Sequence, residues 1–357
     1  MAEHRPGRPK RSDVARLAGV SDALVSYVVN DGPRGVAPAT RGRILAAIRE
    51  LDYSPNYSAR SLRLQSTGSI GLAVPNIANP FFSELAQALR SECARHGKTL
   101  VISESQEDAR PASSVSVRAL LRSQVDGIVD CDPQVGESLS ALEAGGVPAV
   151  SLDSAVEDQR IPTVGIDYYK AAKEAVRHLI GHGHKRIAHI SGPAKSTPPR
   201  LREIGWRDAL HDAGLPVSQD LICDGPFSAQ GGFDALSKLV SLSDPPTAVF
   251  ISTDIHTVGA LSACHQLGLR VPEDLAVFGF DGTRGMKFTV PPASVVQQPI
   301  AELASSALRV LMNPSPAEAP ERLIVPFSLV LRASCGCTGD KTYIPPGQRG
   351  SGPANET

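Results

Sequence analysis

Nowhere does this sequence hold a run of about 18 apolar residues, the length a helix needs to span a bilayer. No apolar stretch follows the basic, proline-rich start at residues 1–11 either, so neither a membrane segment nor a secretory leader is expected, and a cytoplasmic location follows. The six cysteines (Cys93, Cys131, Cys223, Cys264, Cys335, Cys337) lack zinc-ligand spacing apart from the close pair Cys335-Gly-Cys337. In a cytosolic protein they read as reduced thiols, not as a disulfide framework. Also missing are a phosphate-cradling Gly-x-x-x-x-Gly-Lys, a Gly-x-Gly-x-x-Gly behind a strand and a Gly-x-Ser-x-Gly elbow. His182-Gly-His184 has the look of a metal pair, but it stands in an ordinary turn into a strand. No cofactor, no metal and no catalytic set is therefore expected, and the chain is not read as an enzyme.

What is present is asymmetric. The net charge of −1 hides a surplus of five positive charges in residues 1–66, eleven Arg/Lys against six Asp/Glu, which leaves −6 for the rest. A basic end on an acidic body suggests a polyanionic partner for that end alone. The basic end also carries helix signals. Ser12-Asp-Val-Ala-Arg-Leu-Ala-Gly19 places Val14, Ala15, Leu17 and Ala18 on one side of a short helix, with Ser12 as a possible cap and Gly19 as a left-handed stop. Ser21 then caps a second helix over residues 22–29, with Leu24, Val25, Val28 and Val29 facing the first, and Asn30-Asp-Gly-Pro33 breaks it. A third helix over residues 38–51 starts on Pro38 and has Ile44, Leu45 and Ile48 at core spacing. Two short helices joined by a tight turn are the helix-turn-helix signature, whose second helix enters the major groove. Its outward residues Asp22, Ala23 and Tyr27 would then reach base edges, while Ser21, Ser26, Asn30 and Tyr53 would touch phosphates.

Asp13-Val-Ala, Ala18-Gly-Val-Ser21, Val25-Ser26, Val29-Asn30, Thr40-Arg41, Leu51-Asp-Tyr-Ser-Pro-Asn56 and Ala59-Arg-Ser-Leu62 resemble, in order and spacing, the LacI/GalR repressor family. The resemblance runs over about residues 12–335. It implies a hinge segment around Asn56 that becomes helical on DNA, with Leu62 as an apolar wedge in the minor groove at the operator centre. Leu24, Ala37 and Lys10 depart from the residues common in the family, which unsettles individual phosphate contacts. Ahead of the helices, Arg5-Pro-Gly-Arg-Pro-Lys-Arg11 resembles an AT-hook core, with a flexible charged leader as the other reading.

From residue 68 short apolar runs alternate with amphipathic segments: Ile70-Gly-Leu-Ala-Val74, Thr99-Leu-Val-Ile102, Asp126-Gly-Ile-Val129, then residues 148–152, 186–190, 248–251 and 275–280. Strands buried on both faces with helices between them mean parallel sheets. The fold class is thus an N-terminal all-α helix-turn-helix domain plus an α/β periplasmic-binding-protein-like domain of two doubly wound parallel-sheet lobes, the latter implied by the resemblance. The expected boundaries are a leader at 1–11, the DNA-binding domain at 12–53, a hinge at 54–67, a sensing domain at 68–337 and a disordered tail at 338–357. Lobe one would hold 68–162 and 293–319 and lobe two 163–292 and 320–337, with crossings near Pro162, Pro292 and Pro320.

In such sheets a ligand sits beyond the carboxyl ends of the strands, here between the lobes. The resemblance carries Phe81 and Phe82 of Asn79-Pro-Phe-Phe82, Arg202 and Asp281 to that cleft, adds Asp153, Phe227 and Thr253, and leaves Asp254 as a helix cap. Thr253 stands where the family often has asparagine, so no sugar is specified. Ser196 and Pro198 stand where purine-responsive members carry effector-binding residues.

The reading is a homodimeric transcriptional regulator, of the repressor type, on a near-palindromic double-stranded operator, controlled by a small-molecule effector such as a sugar or related metabolite. A ligand carrier or an α/β enzyme without a DNA role is the alternative; neither accounts for residues 12–62.

Overall fold

A computed structural model describes residues 9–29, 35–54, 66–105, 112–131, 140–142, 144–152, 161–192, 197–313 and 322–346. The chain divides into two compact units, Met1–Thr67 and Gly68–Thr357.

The first unit is three helices, α1 (Arg11–Ala18), α2 (Asp22–Val29) and α3 (Pro38–Glu50). Ser12, expected as the cap of α1, lies inside it. The helix starts one residue earlier, at Arg11, because Asp13 Oδ2 accepts from the Lys10 N–H at 2.9 Å and holds the entry from within the first turn. Arg11 is thus helical and not part of the leader. Gly19, at φ 64°, makes the left-handed stop, which a side chain would strain. Val14, Ala15, Ala18, Val25, Val28, Ile44 and Ala47 form the core. Leu17 and Leu45, expected to face inward, are exposed: each lies one position off the stripe that the small residues Ala15, Ala18 and Ala47 define.

In the second unit one sheet is wholly parallel, in the order β11-β5-β4-β3-β1-β2. It contains β1 (Ser69–Val74), β2 (Thr99–Glu104), β3 (Gly127–Asp130), β4 (Ala149–Leu152), β5 (Thr163–Gly165) and β11 (Arg322–Ile324). The other runs β13-β12-β10-β9-β8-β6-β7, with β6 (Ile187–Ser191), β7 (Ile222–Asp224), β8 (Ala248–Ile251), β9 (Ala276–Asp281) and β10 (Ser294–Gln297) parallel. Two antiparallel strands, β12 (Ser328–Leu331) and β13 (Lys341–Tyr343), close its edge.

The sheets correct the expected lobe boundaries. β5 and β11 lie in the first sheet and β10 in the second, so the crossings fall after Gly165, at residues 298–299 and at residues 325–327. Pro162 and Pro292 precede strands instead of separating lobes, in keeping with proline's tolerance at strand starts. At the third crossing Val325 is buried in the first lobe's core and Phe327 in the second's, with Pro326 between them. Residues 341–343, expected within a disordered tail, instead form a strand that pairs with β12.

Helices flank both sheets: α4 (Pro80–Arg95), α5 (Ala112–Arg122) and α10 (Ile300–Met312) in lobe one, and α6 (Tyr168–Gly181), α7 (Thr197–Asp212), α8 (Ala229–Val240) and α9 (Asp254–Gln266) in lobe two. Side-chain oxygens of Asn79, Asp167, Ser228 and Thr253 accept from the first-turn amides of α4, α6, α8 and α9 and fix where each helix leaves its strand.

Candidate functional site

The residues expected to read bases begin at the start of α2. Asp22 and Ala23 are exposed, and Tyr27 follows about one turn later, half-buried. Ser21 Oγ accepts from the Leu24 N–H at 3.4 Å, capping the helix, and Ser26 lies on the same half-buried flank as Tyr27. Tyr53 packs on the small core below α3. Arg11 was not among the expected site residues. Its Nε stands 3.4 Å from Asp22 Oδ2, both side chains about half exposed, so the reading edge carries a cation beside its acid. Such a pair adds little stability. It sets local charge instead, offsetting the repulsion a lone aspartate would meet at a phosphate backbone. Asn30, Asn56 and Leu62 lie outside the described residues.

Strand order reverses between β1 and β3 in the first sheet and between β6 and β8 in the second, and the carboxyl ends flanking such switch points are where open α/β sheets hold ligands. Lobe two brings several polar groups to these ends. Arg202, on α7, is 3% exposed and lies over an aromatic shelf, its guanidinium carbon 4.1 Å from the Phe280 ring centre and 4.9 Å from that of Tyr168. Its Nη2 stands 3.9 Å from Asp281 Oδ1, a compensating charge for a guanidinium taken out of water. Asp281 ends β9 at φ 90°, a left-handed conformation that aspartate tolerates better than most residues. Its Oδ1 also accepts from Gln298 Nε2 at 2.9 Å and its Oδ2 from the Asp254 N–H at 3.3 Å. Since Gln298 sits on the second lobe crossing, the carboxylate touches both the site and the hinge.

Asp254 is not the cap of α9; Thr253 is, through Oγ1 to the His256 N–H at 3.3 Å. Asp254 is fully buried one residue on, accepting from the Thr283 N–H at 2.6 Å through Oδ2, while Oδ1 has no protein partner. Burial, and then repulsion from Asp281, push its pKa well above the ordinary carboxylate value. Burial raises Asp281 as well, but Arg202, the Gln298 amide and the Asp254 N–H oppose it. Of the two carboxyls, Asp281 is the one with a cation and two N–H donors against it, so negative charge is better compensated there, opposite Arg202, than on Asp254. Thr253 Oγ1 uses one lone pair as the cap and keeps its O–H to donate, so capping is compatible with its expected part as an effector ligand.

Phe227 is half-buried, with the tip of its ring against Gly192, just past the end of β6, where a Cβ would collide with Phe227 Cζ. Beside it the His256 ring, 5.5 Å away, has Nε2 2.7 Å from the Pro226 carbonyl oxygen, which leaves Nδ1 buried without a protein partner. In lobe one, Asn79 caps α4, but Phe81 and Phe82 are buried against Leu85 and Leu89 in the core. Phe81 is 2% exposed and Phe82 9%, so in this conformation both stand in the lobe-one core; Arg202 and Asp281, each 3% exposed, are as deeply buried. Sequence reasoning missed Asp130, fully buried at the end of β3, although a carboxylate closing a central apolar strand was a visible signal. It also missed Tyr168, Phe280 and Gln298, which look like ordinary helix, strand and loop residues until Arg202 and Asp281 are placed on them. Asp153 and Ser196 lie outside the described residues. The Arg284 N–H donates to Glu84 Oε1 at 2.9 Å and so joins the lobes on this side.

Residues 12–56 match the profile of bacterial regulatory proteins of the lacI family, and residues 176–335 match that of the periplasmic binding protein-like domain. A PurR-type transcriptional repressor of Pasteurella multocida (strain Pm70) is 33% identical over 326 residues, covering 90% of this chain and 97% of that protein. The chain belongs to the LacI family. The ribose operon repressor of Escherichia coli (strain K12) is 37% identical over 303 residues, covering 84% of this chain and 91% of that protein. Among solved structures, a Lac repressor dimer bound to operator and the anti-inducer ONPF superposes with a TM-score of 0.80 at 30% identity, over 92% of this chain and 99% of that one. This LacI-family chain is a DNA-binding transcriptional regulator, with a helix-turn-helix unit ahead of an effector-binding domain. Among the described residues no helix is long and apolar enough to cross a membrane.

Proposed function

We propose that the protein is a homodimeric repressor of a near-palindromic operator, released or recruited by a small polyhydroxylated metabolite, a sugar or a close relative, held at the carboxyl ends of the lobe-two strands. The observation that carries the ligand side is Arg202: a buried guanidinium seated on Phe280 and Tyr168 and answered by Asp281 at a strand end. Guanidinium and carboxylate together fit a vicinal diol, donating to one oxygen and accepting from the other. Asp254 Oδ1 and the bare Nδ1 of His256 offer further polar atoms in the same lobe, and Phe227 supplies an apolar face for a sugar ring. The dimer and the operator are carried over from the Lac repressor complex. They suit a chain whose first 66 residues have five surplus positive charges. On DNA, Asp22, Ala23 and Tyr27 meet bases, Ser21, Ser26, Asn30 and Tyr53 meet phosphates, and Leu62 wedges the operator centre. The setting is the bacterial cytoplasm.

The test is a thermal-shift screen of the full chain with sugars, polyols and nucleosides, followed by calorimetric titration of hits. A ligand that binds the native state raises its melting temperature. Arg202→Lys keeps the charge but loses the planar fork, and should weaken a hit by about tenfold or more while the free protein stays folded. Equal affinity of wild type and variant would remove Arg202 from the site, and hits confined to nucleosides would replace the ligand class.

A further inference from the structure

Beyond β12 the chain makes a single 3₁₀ turn, Ala333–Cys335, and then a left-handed step at Gly336, φ 90°, before Cys337. This strap is firmly anchored. Ser334 Oγ donates to the Val277 carbonyl at 2.7 Å and accepts from the Ser294 N–H at 2.8 Å, and Arg332 Nη1 donates to the Ala293 carbonyl at 2.8 Å. The left-handed residue lets both thiols approach the C-terminal end of α6, where His178 and His182 stand four residues apart and so share one helix face. His178 Nε2 is 3.3 Å from Cys335 Sγ and 3.6 Å from Cys337 Sγ, and His182 Nε2 is 3.4 Å from Cys337 Sγ. All four donor atoms fall within 4.8 Å of one another.

A tetrahedral cation with two thiolates at about 2.3 Å and two imidazole nitrogens at about 2.05 Å leaves each nitrogen–sulfur edge at about 3.6 Å. The three separations here match that edge to within about 0.3 Å. Two sulfurs with two imidazoles select zinc over the hard oxygen-seeking cations. Access is built in: Cys335 is buried, Cys337 and His178 are half-buried and His182 is exposed, so an ion can enter from the His182 side. We infer that His178, His182, Cys335 and Cys337 form a Cys2His2 zinc site that clamps the C-terminal strap to α6. Neither visible sequence pair would have found it. His184, the apparent partner of His182, instead has Nδ1 3.0 Å from Thr247 Oγ1, on the strand side of the turn.

The experiment uses the full chain, reduced and stripped of metal, titrated with Zn²⁺ against a chromophoric chelator and with Co²⁺ as a spectroscopic probe. Expected are one equivalent per chain, thiolate-to-cobalt charge transfer with the intense ligand-field bands of a tetrahedral centre, and a melting temperature that rises with zinc. His182→Ala, at an exposed position, and Cys337→Ser should each weaken zinc binding by at least about a hundredfold and abolish the thermal shift, beyond even the loss typical of outer-shell changes. Exposed His265→Ala should change nothing. The site is refuted if reduced, natively folded protein takes up no stoichiometric zinc, if cobalt shows no thiolate transition, or if His182→Ala binds as the wild type does.

Discussion

His189 lies in the middle of β6 with its ring 5.1 Å from that of Phe250 and 5.9 Å from that of Trp206, both nearly parallel to it. Its Nδ1 is 3.1 Å from the Phe250 carbonyl oxygen, so that nitrogen carries the hydrogen. Burial, reinforced by the nearby Arg202, takes the ring from the ordinary 6.5 down to about 3. The folded protein thus keeps it neutral while the unfolded chain takes up a proton below about pH 6.5. Stability from this residue is complete above that pH and is lost as pH falls toward 3, at up to about 1.4 kcal/mol per unit. His189→Asn preserves a donor to the same carbonyl and removes the titration. Urea midpoints at about pH 7 and about pH 5 should therefore differ less for the variant than for the wild type, and an equal difference would show that other groups set the acid limb. A second residue-scale expectation concerns Leu62. If it wedges the operator centre, Leu62→Ala weakens operator binding by about tenfold or more but leaves non-specific DNA affinity, mainly electrostatic, unchanged. Gel-shift titrations on operator and scrambled duplexes check this, and equal loss on both contradicts the wedge.

Elements in lobe two are joined by close backbone approaches that only glycine permits. A Cβ on Gly259 of α9 would lie 1.8 Å from the Ala229 carbonyl oxygen of α8, and one on Gly232 of α8 would lie 2.2 Å from the His256 carbonyl oxygen of α9. Gly205 of α7 meets the Tyr169 carbonyl of α6 in the same way, at 2.4 Å. Gly259→Ala gains about 1 kcal/mol of helix propensity. It must also separate helices held backbone to backbone, so a net loss of about 1–3 kcal/mol is expected in chemical denaturation; a variant as stable as the wild type would mean the pair can slide at little cost. None of this is visible in the sequence, where these glycines look like weaknesses in helices. Strands were legible because Ile70-Gly-Leu-Ala-Val74 and its counterparts are short apolar runs, wholly buried in β3, β6, β8 and β9; β2, at the sheet edge, is apolar in sequence but half exposed. The lobe crossings were not, since proline marks a strand start as readily as a break. β13 was hidden because Lys341, Thr342 and Tyr343 are all exposed and carry no apolar alternation. At the site, Arg202 and Asp281 were legible through the family's motifs. Phe81 reads two ways, because the motif sets it toward a ligand while its i, i+4 relation to Leu85 sets it in the core where it packs here.

For the whole molecule, the decisive fact is that the two units have separate cores and opposite charge, so effector control must be a coupling free energy between sites. Among the described residues the small unit's core is seven buried side chains, most of them alanine and valine, which implies modest stability of its own and a gain when DNA binds the native form. Coupling between sites is reciprocal. If an effector changes operator affinity by some factor, a saturating operator changes effector affinity by that same factor, because only a ligand with different affinities for two states can shift their balance. On the proposed effector site, Asp281 would be the contact through which a bound ligand is felt at the hinge, for Gln298 on the crossing donates to it and the Gln298 N–H bonds the Asp281 carbonyl at 2.9 Å. Gln298→Leu removes the side-chain link and should reduce the coupling factor toward one, with a smaller effect on effector affinity in the absence of DNA. Calorimetric effector titrations with and without saturating operator, on wild type and variant, measure both quantities. A coupling factor unchanged by the substitution would place the transmission elsewhere, on contacts such as the Arg284 N–H to Glu84 bond between the lobes.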